Sequence, residues 1–289
     1  MYNNNRIKES LFIAVFPFLF HQQLFCETPK DSIYKQPIIL MSSQILDEMN
    51  MNVDFISSFD FTPQKQILLS SLNQFYLLGW ESFVPLDHIL STPISSFTYD
   101  SENNLLVVLG NNIFVLNTQN QFVQLFPLPR ENMEICPGKN GVIYAYDKEG
   151  QENYVLYRLK EKEAPIKIFE ISTPITAVLE VNENILFATN SKVFFANLKD
   201  KTVKALVQLA NVNEKIISMA QDYSNDVLYF STNNALYALR KKQAECVMEK
   251  IGGLIKCYNN ELYVFNPKEK FLISFYINNL SATKETKEQ

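Results

Sequence analysis

The sequence predicts an all-β fold: a six-bladed β-propeller of four-stranded antiparallel blades, its ring closed by an N-terminal strand (about 36–41) that completes the last blade. Three observations predict it. The sequence returns on itself about every 40 residues, each copy has the grammar of four short strands, and the last copy is one strand short. A period near 40 residues with strand patterning is that of a propeller blade.

The repeat is visible residue by residue. Ser-Thr-Pro-Ile stands at 91–94 and again at 172–175, and Ile-Ser-Ser-Phe at 56–59 returns at 94–97. Ile216 to Met219 aligns with Ile94 onward without a gap, which sets Asp222 on Asp100 and Val227–Ser231 on Leu105–Leu109. Copies start at Ile56, Ile94, Met133, Ile175, Ile216 and near Gly253, at intervals of 38, 39, 42, 41 and about 37.

Along the chain, residues 1–26 read as a signal peptide. Arg6 and Lys8 precede an apolar run, Leu11–Phe20. The run is short of the about 20 residues that span a bilayer and has the length of a signal core. Cys26 is a lipidation candidate, although Leu24 and Phe25 precede it where a small residue is wanted. The expected location is exported: periplasmic, cell-surface or secreted, with a lipid anchor if Cys26 is modified, and no transmembrane segment in the mature chain. Residues 36–279 then form a single propeller domain. Within it Pro37–Met41 is a strand without a neighbour of its own, and residues 42–52 form a short helix or a loop. Seven blades would follow if residues 36–55 made a separate sheet. Residues 280–289 are a polar tail.

The copy at Ile94 shows the four strands. A first strand ends near Tyr99, and Asp100–Asn104 supply a turn. Leu105–Leu109 is apolar at every position, which demands burial on both faces. Gly110, Asn111 and Asn112 make a tight turn, since Gly and Asn tolerate positive φ. Third and fourth strands follow at 113–117 and 122–126. Asn73, Asn190, Asn233 and Asn234 recur at the second turn. Outer strands alternate, as in Ile166-Lys167-Ile168 and Val203-Lys204, and are expected half wet. The last copy offers three strands, 254–258, 261–265 and 271–277, so residues 36–41 are expected to supply the fourth and remove an open edge.

Composition agrees. Hydrophobic residues are 47% and aromatics 13%, with 22 Phe and 14 Tyr, which favours strands. Gly is scarce at 7, and Asn takes over its turns. Removing residues 1–26, net +1, takes the formal charge from −5 to −6. A mildly acidic chain argues against nucleic acid or anionic membrane surfaces as partners.

Catalytic chemistry is nearly absent from the sequence. Cys136 and Cys257 fall on innermost strands of opposite blades and Cys246 on an outer one, so they read as buried thiols outside disulfides. The two histidines, His21 and His88, make no metal cluster. Gly138-Lys139-Asn140-Gly141 lacks phosphate-loop spacing and reads as a turn. Asp147/Glu149 and Glu161/Glu163 read as solvated hairpin charges. Trp80, after Gly79 at a strand end, is either a partner anchor or half-buried packing.

With the repeat on residues 36–279, the chain resembles six-bladed propellers of the NHL and YWTD type, in architecture only. The Tyr-Trp-Thr-Asp signature, WD endings, kelch glycines and sialidase Asp-box are all missing. Gluconolactonase-like enzymes share the form and hold a divalent cation in the channel with Glu, Asn and Asp. Their Glu-Gly-Pro-x-Trp opening is replaced here by Asp47-Glu48-Met49-Asn50-Met51.

Two function classes follow. One is a non-catalytic, extracytoplasmic scaffold that binds a protein, ligand or envelope component, without cofactor. Its candidate loops are 87–93, 129–132, 172–174 and 211–215, with Asp87, His88, Arg130, Asn211, Glu214 and Trp80 as candidate binding residues. The alternative is a metal-dependent, lactonase-like hydrolase with a divalent cation in the channel. Inward Asp, Glu or Asn side chains converging at metal-bonding distance would mark the second.

Overall fold

The computed structural model describes residues 38–43, 46, 56–79, 82–131, 133–148, 152–224, 226–240 and 243–277. They form six four-stranded antiparallel sheets. Blade 1 runs from the axis outward as β2 (Ile56–Phe61), β3 (Ile67–Ser71), β4 (Gln74–Leu78) and β5 (Phe83–Ile89). Blade 2 is β6 (Ile94–Tyr99), β7 (Leu105–Leu109), β8 (Asn112–Leu116) and β9 (Phe122–Pro127). Blade 3 is β10 (Glu134–Pro137), β11 (Val142–Tyr146), β12 (Tyr154–Lys160) and β13 (Ile166–Ile171). Blade 4 is β14 (Ala177–Val181), β15 (Asn184–Thr189), β16 (Lys192–Asn197) and β17 (Thr202–Gln208). Blade 5 is β18 (Ser218–Asp222), β19 (Val227–Ser231), β20 (Ala235–Arg240) and β21 (Gln243–Glu249).

Blade 6 takes β22 (Leu254–Tyr258), β23 (Glu261–Asn266) and β24 (Phe271–Tyr276) from the end of the chain, and β1 (Ile38–Met41) from its start. β1 pairs antiparallel with β24, with Ile38 opposite Ser274 and Ile39 opposite Ile273. Each inner strand touches the next around the ring, and β22 meets β2. Ile38–Met41, within the predicted 36–41, therefore supplies the closing strand, and the count is six. Of residues 42–52, Ser43 and Leu46 are described as helical, and Leu46 is buried. The signal peptide and the tail lie outside the described residues.

Burial follows from two-residue strand periodicity. Along β7, Leu105 and Val107 pack toward blade 1 while Leu106 and Val108 pack toward blade 3. An unbroken apolar run is thus the signature of a strand sandwiched between two blades. β3, β11 and β19 are buried at every position. Six apolar clusters result, one between each pair of neighbours. The blade 6–blade 1 cluster unites Met41 and Leu46 with Phe59, Phe265 and Leu272. A buried side chain of this size contributes about 2 kcal/mol, so the two chain ends hold each other. Outer strands are wetter, as expected: Ile166 is 50% exposed.

Asparagine does carry turns, though not always where the sequence suggests. Among the described residues fifteen non-glycines have positive φ, and seven are Asn. Asn182-Glu183 and Asn259-Asn260 are two-residue hairpin loops with both φ positive, the arrangement that matches strand twist. At the second turn Asn190 takes φ 47°, but in blade 1 Leu72 takes φ 53° instead of Asn73. Asn73 is used otherwise: its Nδ2 donates to Leu90 O at 2.7 Å and its carbonyl accepts Leu90 N–H at 2.9 Å.

Candidate functional site

The same bonding scheme fastens the interblade connectors. Leu90, Leu128 and Leu209, each just past an outer strand, donate N–H to Asn73 O, Asn111 O and Ser191 O at 2.8–2.9 Å. Ile94 and Ile216, entering the next blade, donate to Leu72 O and Asn190 O at 2.7 Å, and Ile175 donates to Asp147 O at 3.4 Å. Connectors and second turns therefore make one face of the ring. Pro93 and Pro174 stand directly before two of these isoleucines, where a residue with no N–H leaves no donor unpaired. The Ser-Thr-Pro-Ile recurrence is a ring-building device.

The candidate residues separate on this face. Asp87 and His88 are not in a connector: β5 continues to Ile89. A register shift between Gln74 and Tyr76 carries the pairing that far, setting Gln74 opposite Ile89. Asn211 and Glu214 meet in the blade 4–5 connector, Asn211 Nδ2 donating to Glu214 Oε1 at 3.3 Å. Glu214 Oε2 accepts the Tyr237 hydroxyl at 2.9 Å; burial first, then this bond, pushes that phenol well above its usual range. One carboxylate oxygen thus ties the connector to itself and the other holds it to blade 5. Arg130 lies in the blade 2–3 connector and pairs with Asp147 at 2.8 Å. Asp147 is 2% exposed, which corrects its reading as a solvated hairpin charge; Glu163 is exposed and pairs with Arg158 and Lys160 as expected. Trp80 and Cys26 lie outside the described residues.

On the inner strands Asp60, Glu180 and Lys256 link blades. Asp60 Oδ2 accepts from Thr98 Oγ1 at 2.9 Å and Lys256 Nζ at 3.1 Å, joining blades 1, 2 and 6. Glu180 Oε2 accepts Lys139 N–H at 3.0 Å, so the Gly138–Gly141 turn presents its amide to the protein's own carboxylate. A Cβ at Gly138 would meet the Glu180 and Tyr144 side chains and force them to shift. Ser96 Oγ accepts Ile135 N–H at 3.2 Å and Ser218 Oγ accepts Ile255 N–H at 3.0 Å. These serines occupy the same position of the repeat in blades 2 and 5. Burial pushes the Cys136 thiol up to about 12, and burial with the Asp60 charge raises the Tyr99 phenol to about 12. Cys136, Cys246 and Cys257 are outside disulfides, but Cys246 is exposed rather than buried.

Among the described residues no three His, Cys, Asp or Glu side chains converge to hold a metal. On the inner strands Asp60 is paired with Lys256, Glu134 with Lys148 and Glu180 with a backbone amide. Sequence reasoning missed Asp60, Glu180 and Lys256 because they bear no motif; Asp60 and Lys256 are 196 residues apart. Among the described residues no helix is long and apolar enough to cross a membrane.

Sheet order, closure and connector face define a six-bladed β-propeller. No protein-family model matches the sequence, and no curated protein matches it either. Solved structures do. A gluconolactonase from Xanthomonas campestris aligns with TM-score 0.64 at 10% identity, over 83% of this chain and 89% of that one. The calcium-binding protein regucalcin from Agrobacterium tumefaciens aligns with TM-score 0.62 at 11% identity, over 81% and 94%. The extracellular domain of a one-component system from B. thetaiotaomicron aligns with TM-score 0.56 at 14% identity over 76% of this chain. This chain spans about a third of that protein, 32% of its length. Likeness at such identities shows the shared fold alone.

Proposed function

We propose that the protein is a non-catalytic binding propeller working outside the cytoplasm, with its connector face as the binding surface. The observation that carries this reading is where the polar groups go. On the inner strands Asp60 and Glu180 are engaged in interblade bonds and Glu134 in an ion pair with Lys148, while the connector face holds its loops by backbone bonds and keeps exposed polar side chains, the arrangement in which loops bind and the scaffold holds them. Export is supported by the charged-then-apolar N-terminal segment and by the likeness to an extracellular domain. The second reading, a metal-dependent lactonase, is favoured by the likeness to gluconolactonase and regucalcin.

A thermal-shift titration of the chain with calcium, zinc and manganese, run beside a lactone-hydrolysis assay, tests the choice. A ligand at a hundred times its Kd stabilises by about 2.7 kcal/mol, a readily visible shift. The expected result is no saturable stabilisation and no turnover; metal-dependent stabilisation with lactone hydrolysis would establish the enzyme instead.

A further inference from the structure

Blade 3 departs from the other copies on the connector face. Its loop between β11 and β12 covers residues 147–153, whereas blades 1, 2 and 4 turn with residues 72–73, 110–111 and 190–191. Against the described ends of this loop the blade 2–3 connector lays Arg130. Its Nη1 donates to Asp147 Oδ2 and to Asn153 O, both at 2.8 Å. Asp147 Oδ2 also accepts Val155 N–H at 3.0 Å, so the anchor is itself fixed by the sheet. Four buried side-chain atoms lack a hydrogen-bond partner among the described residues, and one of them, Asp147 Oδ1, lies at this junction.

The two Nη1 bonds account for both hydrogens of that nitrogen. They leave Nε–H and Nη2, the forked edge of the guanidinium, without a partner among the described residues, on a side chain 31% exposed. That fork matches the two oxygens of a carboxylate. An arginine held from behind by a buried carboxylate is oriented before anything binds, so less ordering cost falls on association. The surroundings select the class of anion. Asp147 offsets the arginine charge, Glu131 is its chain neighbour, and the nearby Lys167 and Glu170 pair with each other at 2.9 Å. With no surplus of positive charge, the site suits one planar monoanion better than a dianionic phosphate.

We propose that the Nε/Nη2 edge of Arg130 binds a carboxylate of a protein partner on the connector face, with Asp147 as its positioning residue. This rests on the binding-propeller reading and names the chemistry of that face.

The test follows the arginine Nε–H resonances of the 15N-labelled chain during titration with sodium acetate, against sodium chloride and sodium phosphate at equal ionic strength. Arg130→Lys, which keeps the charge and removes the fork, assigns the resonance by its loss. Arg158, paired with the exposed Glu163 at 3.2 Å, is the internal reference. The expected result is a saturable shift at Arg130 with acetate, none with chloride, and none that saturates at Arg158. Asp147→Asn is expected to weaken the Arg130 response about tenfold, with the melting temperature read alongside. No saturable shift, an equal response at Arg158, or tighter binding of phosphate would overturn the proposal. None of these outcomes alters the metal and hydrolysis results, so the two readings fail separately.

Discussion

Blade 6 draws β1 from before the first repeat and β22 to β24 from after the fifth, whereas blade 3 is one continuous stretch with an extended loop on the connector face. The two treat their polar groups differently. At the seam Asp60 takes Phe61 N–H, Thr98 Oγ1, Tyr99 N–H and Lys256 Nζ, so that both carboxylate oxygens are engaged. In blade 3 the Arg130–Asp147 pair closes on one side and leaves a donor edge on the other. Closure must saturate its polar groups because the chain entropy opposing it is large and the junction is made only once. A loop outside the closure carries no such demand.

The largest expected effect breaks the seam. Deleting residues 38–41 removes β1 and Met41 from a cluster that also holds Leu46, Phe59 and Leu272. Total stability is about 5–15 kcal/mol, and loss of a strand at the closure is expected to abolish cooperative melting, read by circular dichroism. Replacing residues 147–153 by a two-residue Asn-Gly turn in blade 3 is expected to leave a cooperative transition. Equal damage from the two would erase the contrast.

A smaller effect tests the carboxylate at the seam. Asp60→Ala strands Lys256 and two donors of blade 2, and is expected to cost about 2 kcal/mol in chemical denaturation, with Asp60→Asn recovering part of it. A cost near zero would show that the apolar cluster alone closes the ring. The smallest effect sharpens the comparison. Ser96→Ala removes one bond between blades 2 and 3, whereas Ser218→Ala, at the same repeat position, removes two between blades 5 and 6, since Ser218 Oγ accepts Ile255 N–H and donates to Ile255 O. The expected costs are about 1 kcal/mol and about 2 kcal/mol; a cost at Ser218 well beyond twice that at Ser96 would mean that strain from the seam spreads into blade 5.

Much of this was legible in the residues. The apolar run 105–109 announces a strand dry on both faces, and Val227–Ser231, aligned with it, is buried throughout. The missing strand of the last copy pointed to residues 36–41. Asp87 and His88 were misplaced because strand ends depend on cross-strand register, here a shift opposite β5 that no local pattern records. Asp147 was misread because its burial comes from a connector that begins in another blade.

The sequence by itself determined the repeat, the strands, the six-fold count and the need for a closing strand, because periodicity, turn residues and apolar runs act over a few residues. Only the tertiary structure decided which polar groups hold the ring and which remain available. Asp60 meets Lys256, and Arg130 meets Asp147, through the angle at which one blade is set against the next. That angle arises from packing of whole sheets, and no single stretch of chain contains it.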